Sequence, residues 1–415
     1  MAESPNARPI FILTGATDEQ YRVTRPDQPS ICTSAGKRHI LYKAIQEASG
    51  SPVIIVTPPP PATDGKKPIP HAPTETRFGE FPQFISRAYA VRKLRYILDI
   101  VSFVKLVWNS TEDGSTIIFD NYELRSVAAL HYCRLKGRKN PVVLEYEDGR
   151  HAIDRGLWWV FSMTAELLGR NLVDAAILAA PALAHRLPRK AGYELVPGIL
   201  KADRPAPVPL LKDKPVRFLY SGSLDEERGL PLFIDYLESP HLHPHAEFHI
   251  TGKGIYQNHL RDLAKRLEGK VFFHGLVTEA ELADLRRSCH YGVNLQRSGN
   301  PISEVTYPSK TFDYMNAGLR IVTTKAAQVE SILGDSALYV DEETKEGLAV
   351  GIRRAIEKAD SHQSPENAAA MDAYTYRGTV ERLKRLLGAI ESKRSETIRG
   401  TPCESPFSPL TTEST

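Results

Sequence analysis

The sequence contains little of what marks small secreted or metal-binding proteins. Its 415 residues include only four cysteines, with no C-x-x-C pair: Cys32, Cys133, Cys289 and Cys403. This spacing excludes a disulfide-stapled scaffold and a cysteine-based zinc site. Four histidines between positions 241 and 249 are interrupted by Pro244 in a spacing that indicates an exposed loop, so no metal is predicted there either.

Long apolar runs and a strong charge are also missing. No stretch reaches the roughly 20 apolar residues that a membrane-spanning helix needs. The N-terminus, MAESPNARP, lacks the basic and apolar regions of a signal peptide. The formal net charge of +3 suits an anionic small molecule or an anionic surface and does not indicate nucleic acid. We therefore expect a cytoplasmic protein.

What the chain does contain is a regular alternation of short apolar strands and amphipathic helices. The predicted strands are 9–15, 52–58, 115–121, 141–148, 174–180, 193–198, 216–222, 247–252, 270–275, 290–296, 319–324 and 336–341. Nearly continuous apolar strands separated by helices indicate parallel sheets covered on both faces. The predicted fold class is α/β, with two Rossmann-like, doubly wound parallel-sheet domains facing each other across a cleft.

Changes in composition predict the domain boundaries. An N-terminal domain over 1–197 is followed by a Pro- and Lys-rich linker over 198–215 and a C-terminal domain over 216–373. Residues 392–415 are rich in Ser, Thr and Pro and are predicted to be disordered. The Pro-rich stretch 58–81 predicts a mobile lid or an acceptor loop.

Two glycine-containing turns follow strands of the second half. YSGSLDEERGL places Gly222 and Ser223 at a strand end and Arg228 near the next helix, and HITGKG places Gly252 and Gly254 after the next strand. Glycine permits close backbone approach, and arginine offers paired donors to a phosphate. The alternative is a plain tight turn with a solvated arginine, and the second turn lacks the full G-x-G-x-x-G pattern.

The segment RSGNPISEVTYPSKTFDYM is the most informative. Ser303 and Glu304 precede a helix entered through Pro308, on which Lys310 and Asp313 share one face. We expect Lys310 to contact a diphosphate and Asp313 to accept hydrogen bonds from ribose hydroxyls. The alternative is a solvated i,i+3 surface pair.

Together these fragments resemble a known family. From about 216 to 356 the order GSLDEERG, ITGKG, VFFHGLVTEAELADLRRSCHYGVNL, YPSKTFDYMNAGLRIVTT and ALYVD is similar to the C-terminal half of retaining GT-B glycosyltransferases of group 1, close to glycosyltransferase family 4. The first half resembles the family more loosely. Residues 374–391 resemble its closing helix, which crosses back onto the first domain.

The resemblance implies roles for individual residues. Arg228 and Lys310 would neutralise the donor diphosphate, Asp313 would bind the ribose, and Leu276 and Val277 would frame the base. The donor-binding set is thus Gly222, Ser223, Gly252, Gly254, Leu276, Val277, Ser303, Glu304, Lys310 and Asp313.

The sequence departs from the family at several of these positions. Ser223 replaces a common arginine, and Glu304 and Asp313 are nine positions apart, whereas the glutamates of the family are eight apart. In the first half, Glu147 and Asp148 stand where many members have a histidine. The predicted catalytic set is Arg228, Lys310, Glu147 and Asp148, with Gly36 and Lys37 on the acceptor side. An acidic turn that binds nothing is the alternative for Glu147 and Asp148.

The implied activity is transfer of a sugar from a UDP- or GDP-sugar to an acceptor hydroxyl with retention of configuration. The acceptor would be a carbohydrate, a lipid-linked molecule or a small molecule. Without a D-x-D pair, neither a metal nor another cofactor is expected. A nucleotide-sugar epimerase and a non-catalytic binding protein are the rival classes. A basic amphipathic helix predicted over 84–108 suggests either peripheral contact with an anionic membrane or a core-packed helix with a solvated basic face.

Overall fold

The computed structural model describes residues 8–17, 35–59, 69–89, 94–209, 214–359 and 371–399. The chain forms two compact units. The first consists of Met1–Leu178, Leu183–Val196 and Thr379–Thr415, and the second consists of Ala179–Ala182 and Pro197–Gly378. Among the described residues, no helix combines the length and the apolar composition that crossing a bilayer requires.

The described strands and helices follow one another in a largely alternating order. The strands are β1 (Ile10–Leu13), β2 (Val53–Thr57), β3 (Thr74–Phe78), β4 (Phe81–Ile85), β5 (Ile117–Asp120), β6 (Val142–Tyr146), β7 (Ala175–Leu178), β8 (Gly192–Leu195), β9 (Val216–Ser221), β10 (Ala246–Thr251), β11 (Val271–Gly275), β12 (Tyr291–Asn294), β13 (Arg320–Thr323) and β14 (Ala337–Tyr339). The α-helices are α1 (Ala35–Ser49), α2 (Arg95–Ser110), α3 (Leu124–Leu135), α4 (Arg150–Ile153), α5 (Gly156–Gly169), α6 (Leu230–Leu237), α7 (Gln257–Arg266), α8 (Glu279–Ser288), α9 (Pro301–Glu304), α10 (Lys310–Asn316), α11 (Val329–Leu333), α12 (Lys345–Ala359) and α13 (Tyr376–Arg399).

The first unit is built on one sheet with the strand order β3-β4-β2-β1-β5-β6-β7-β8. All neighbouring strands are parallel except β3 and β4, which pair antiparallel. The central strands β1, β6 and β7 are buried along their whole length. Such burial on both faces is what near-continuous apolar strands predict.

The second unit has a parallel sheet with the order β11-β10-β9-β12-β13-β14. Phe218 on β9 stacks between Phe248 on β10 and Tyr291 on β12, with ring centroids 5.2 and 5.3 Å away. Each strand predicted from the sequence is present, and the α/β class with two parallel-sheet domains is confirmed. The predicted capping box of Thr278 and Glu281 at the start of α8 is confirmed as well.

The region between β2 and α2 differs from the prediction. The stretch 58–81, predicted as a lid or acceptor loop, contains β3, and residues 60–68 lie outside the described part. The helix predicted over 84–108 is wrong at its start, because Phe84 and Ile85 end β4 and the helix begins only at Arg95. In β4 the buried and less buried side chains alternate, and this period of two belongs to a strand.

The chain that follows the second sheet also differs from the prediction. The helix predicted to end at 391 continues to Arg399, so residues 392–399, predicted to be disordered, are helical, since they contain no glycine or proline. Residues 400–415 of that predicted tail lie outside the described part of the chain. From Thr379 onward α13 belongs to the first unit, where Arg382 donates to the carbonyl of Leu195. The stretch predicted as a linker begins in contact with the second unit, since Leu200 bridges to Thr375.

Candidate active site

In each sheet there is one strand from which the chain builds the sheet outward, first to one side and then to the other. Ligands of such sheets bind beyond the carboxyl ends of the strands at that point. In the second unit this strand is β9, between β10 and β12, and in the first unit it is β1, between β2 and β5. The polar side chains that follow these strands are therefore the ones to consider first.

Lys310 reaches the carboxyl end of β9 from the first residue of α10. Its Nζ atom is shielded from solvent and has no hydrogen-bond partner among the described residues. The ammonium lies 4.3 Å from the centroid of the Tyr220 ring, which holds it by a cation–π contact. Burial and the neighbouring Arg228 lower the pKa of Lys310 to about 7, while Asp313 opposes the shift. A buried ammonium without an acceptor among the described residues carries a desolvation cost that an anion would relieve.

Arg228 is held beside Lys310 by a neutral partner. Its Nη1 donates to Oε1 of Gln296 over 2.9 Å. Gln296 is 1% exposed, and its amide nitrogen donates to the carbonyls of Ser303 and Thr306. This amide thus fixes the guanidinium relative to the loop around α9 without neutralising it.

Tyr314 attaches α10 to the sheet. Its hydroxyl accepts a hydrogen bond from the backbone nitrogen of Ser221 over 2.9 Å. A β-carbon on Gly292 would lie only 2.1 Å from the Tyr314 ring, so β12 needs glycine at this point. The position of Lys310 at the end of β9 follows from this attachment.

The glycines predicted to contact the donor serve two different purposes. Gly222 is exposed, and a β-carbon there would lie 3.3 Å from Nζ of Lys310, so its lack of a side chain leaves the space above the ammonium open. A β-carbon on Gly252 would lie 1.8 Å from the carbonyl oxygen of Gly222, and one on Gly254 would lie 2.5 Å from that of Leu224. Gly252 and Gly254 therefore let two loops touch.

The remaining predicted donor residues surround this edge at different depths. Leu276 and Val277 follow β11, the former exposed and the latter half-buried. Ser303 is buried, and Glu304 is half-buried at the end of α9. Asp313 is exposed on α10, on the same side as Lys310, whose charge it influences. Ser223 is exposed, and its hydroxyl donates to Asp225.

The equivalent edge of the first unit carries a buried ionic network. Lys37, on the first turn of α1, forms an ion pair with Glu147 over 2.7 Å. Arg38 lies 2.6 Å from Asp120 and 3.2 Å from the second oxygen of Glu147. Glu145 completes the network 4.0 Å from Arg38.

The carboxylates of this network have shifted pKa values. Burial raises the pKa of Glu145 and of Asp120, although Arg38 opposes the change. For Glu147 burial acts in the same direction, but Lys37 and Arg38 outweigh it and lower its pKa. Glu147 is therefore ionised and paired with two cations, whereas a general base would need an unpaired carboxylate oxygen.

Asp148 and Gly36 border the network. The side-chain oxygen of Asn121, a residue with φ of +49°, accepts hydrogen bonds from the backbone nitrogens of Glu147 and Asp148. Asp148 is half-buried, and Gly36 is exposed with open space around its β-carbon position. The structure thus brings Gly36, Lys37, Glu147 and Asp148 to one edge.

Sequence reasoning missed several residues that shape these two edges. They are Arg38, Asp120 and Glu145 in the first unit, and Tyr220, Gln296 and Tyr314 in the second. Asp120 and Gln296 lie in the last two positions of predicted strand segments, and a polar residue at a strand end was the available signal. Tyr220 and Tyr314 resemble ordinary core aromatics in the sequence.

Within the described ranges, no three His, Cys, Asp or Glu side chains are placed to share a metal ion. Arg228 and Lys310 are two of the positive charges at the edge of the second sheet.

Residues 215–358 match the family model described as Glycosyl transferases group 1. No curated protein matches the chain.

Several solved structures share the fold. An alpha,alpha-trehalose 6-phosphate synthase from Burkholderia multivorans aligns with a TM-score of 0.63 and 13% identity, covering 94% of this chain and 100% of the other. The lipopolysaccharide outer core galactosyltransferase WaaB in its apo form aligns with a TM-score of 0.59 and 12% identity, covering 93% and 99%. A trehalose-6-phosphate protein of E. coli, bound with UDP-2-fluoro glucose, aligns with a TM-score of 0.58 and 11% identity, covering 94% of this chain and 98% of the other. The predicted GT-B fold is thereby confirmed.

Proposed function

We propose, from the premise that residues 215–358 are a group 1 glycosyl transferase domain, that the chain transfers a sugar from a nucleoside-diphosphate sugar to an acceptor hydroxyl. The observation that carries the proposal is the ammonium of Lys310, which is shielded from solvent, has no acceptor within the described part of the chain and lies beside Arg228. A diphosphate would supply the missing acceptors.

The two cations also suit the chemical step. When the bond between the sugar and the diphosphate breaks, negative charge grows on the leaving phosphate oxygens. Fixed donors placed where charge develops stabilise the transition state more than the ground state. Arg228 offers paired donors, Lys310 offers a point charge, and Gly222 leaves room for the phosphates. In this proposal these two side chains take the role that a metal ion has in other transferases.

Other residues would hold the remainder of the donor. Asp313 would accept hydrogen bonds from the ribose, Leu276 and Val277 would contact the base, and Ser303 and Glu304 would face the sugar. We propose a UDP-sugar as donor, supported by the UDP-2-fluoro glucose in one structure of the same fold. Retention of configuration rests on the family resemblance.

The first unit would supply the acceptor side. Lys37 and Glu147 are paired there, and Asp148 and Gly36 lie at the same edge. Because both oxygens of Glu147 contact cations, we assign Glu147 the positioning of Lys37, and Asp148 the contact with the acceptor. The acceptor class is a carbohydrate, a lipid-linked molecule or a small molecule. A cytoplasmic location is supported by the free thiols of Cys133 and Cys289.

The test is an assay with a panel of UDP- and GDP-sugars, with and without sugar and lipid-linked acceptors, in buffer containing EDTA. We expect free nucleoside diphosphate in an acceptor-dependent amount, and NMR of the product should show the anomeric configuration of the donor. Isomerised sugar without diphosphate release would identify an epimerase. Donor binding without turnover across the panel would identify a binding protein and contradict the proposal.

A further inference from the structure

The first turns of α5 carry a run of large apolar side chains in solvent. Leu157, Trp158, Trp159 and Val160 are 68, 58, 45 and 48% exposed. Since consecutive residues of a helix point in different directions, this stretch is apolar on nearly every side. Helices of that kind are normally buried.

The exposed face of α2 continues this surface. Leu94, just before the helix, and Ile97 and Val101 on it are exposed and follow the i, i+3, i+7 spacing of one helical face. Tyr96 joins the two helices, with its ring centroid 6.0 Å from those of Trp158 and Phe161. We call the resulting surface the apolar patch, made of Leu94, Ile97, Val101, Leu157, Trp158, Trp159 and Val160.

The fully exposed charges on and beside these two helices are basic, while the neighbouring carboxylate of Asp154 is half-buried and accepts a hydrogen bond from Ser162. Lys105, one turn beyond Val101 on the same stripe, and Arg155, the residue before α5, are exposed. The carboxylates on α2 and α5 are Asp99 and Glu166, and both are buried. The exposed charges of this surface are therefore basic.

We propose that the apolar patch docks the protein onto an anionic lipid surface. Tryptophan is favoured at the boundary between headgroups and acyl chains, where its ring is partly apolar and partly wet. Exposed basic side chains beside an apolar helix face add attraction to anionic headgroups.

A second copy of the chain fits this surface less well. A two-fold interface would bring the same patch against itself. Arg155 and Lys105 would then meet their own copies, and the two helices expose no carboxylate to pair with them. Like charges placed together oppose association, whereas an anionic bilayer complements them.

The inference does not depend on the proposed transfer reaction, because it concerns binding to lipid without any donor. The experiment is flotation of the full chain with vesicles of phosphatidylcholine alone and with about one third phosphatidylglycerol. We expect binding to the anionic vesicles that weakens with added salt. Two of the three tryptophans, Trp158 and Trp159, lie in the patch, so the intrinsic emission should shift to the blue on binding.

The variant Trp158→Ser/Trp159→Ser should lose at least about tenfold in vesicle partitioning. Lys105→Glu/Arg155→Glu should lose the preference for anionic vesicles. Tyr193→Ser is the matched control, since this aromatic residue of the first unit is 49% exposed and lies on β8, outside the patch; it should bind like the parent. Near-native far-UV circular dichroism verifies that each variant is folded.

Three results would overturn the inference. The first is that the parent protein does not float with anionic vesicles at low salt, and the second is that the double tryptophan variant binds unchanged. The third is a concentration-dependent dimer that this variant abolishes while vesicles have no effect. The last would make the patch an interface between copies. Transferase activity is not part of the readout, so failure here leaves the proposed function standing.

Discussion

In the first unit, Lys37 and Arg38 lie at the carboxyl edge of the sheet in contact with the carboxylates of Asp120 and Glu147. In the second unit, Arg228 and Lys310 lie at the corresponding edge, where their neighbours are the amide of Gln296 and the ring of Tyr220. The topological position is the same in both sheets, but only in the first are the cations neutralised by bonded carboxylates.

This difference indicates which of the two sheet edges can contribute free energy to the binding of an anionic ligand. A paired network has little attraction left for a ligand, because its Coulomb energy already offsets the desolvation of its own charges. Cations held by neutral groups carry an unfavourable desolvation energy in the free protein, and an anionic ligand relieves it. We therefore expect removal of a cation to lower stability in the first unit and ligand affinity in the second.

The largest effect is expected for Arg38→Leu. It leaves Asp120, Glu145 and Glu147 close together without their central cation, and breaking a buried ion pair costs about 3–5 kcal/mol. Urea unfolding of the first unit, followed by circular dichroism, measures this loss. The control is Lys43→Leu on the same helix, whose exposed pair with Glu80 is worth less than about 1 kcal/mol. Equal losses in the two variants would remove the distinction drawn between the units.

The next effect concerns Lys310→Met. Loss of charge-assisted bonds to the diphosphate should weaken nucleotide-sugar binding about 100-fold, corresponding to about 2.7 kcal/mol. Because burial lowers the pKa of Lys310, this lysine costs folding free energy that is largest below pH about 7 and disappears only as the pH rises to the ordinary pKa of lysine. The same variant should thus raise the melting temperature of the free protein by about 2–4 °C.

Isothermal titration calorimetry and a thermal melt test both parts of this prediction. Lys265→Met, which removes an exposed lysine on α7 with a weak partner in Asp262, should change neither quantity. Unaltered affinity in Lys310→Met would place the diphosphate elsewhere. A lower melting temperature with lost affinity would mean that the ammonium supports the fold, contrary to the comparison.

The sequence predicted one class of features well. The strands could be placed because each is a short apolar run bounded by polar turns, and that signal is local. The hairpin β3–β4 was missed because a Pro-rich stretch precedes it and its apolar residues continue toward α2. Lys310, Arg228 and Gly222 could be named because each belongs to a short motif.

The partners of these residues could not be predicted in the same way. Gln296 contacts Arg228 across 68 positions, and Arg38 contacts Glu147 across 109. Nothing local distinguishes Gln296 from another polar residue after a strand. Whether a cation is neutralised or held by an amide depends on which strands become neighbours, and so the contrast between the two edges emerges only in the folded chain.

The smallest effect expected is a pH dependence of donor affinity. The pKa of Lys310 in the free protein is about 7, and the diphosphate binds its protonated form, so affinity should be constant at lower pH and fall as pH rises through that value. Between about pH 6 and pH 8 the protonated fraction drops about tenfold, and the association constant for a nucleotide sugar should drop with it. Calorimetry in buffers of different ionisation enthalpy would also register proton uptake on binding above pH about 7. Lys310→Arg keeps its charge throughout this range and should flatten the profile. An affinity of the parent protein that does not change over these two pH units would show that Lys310 is not the group whose charge the donor requires.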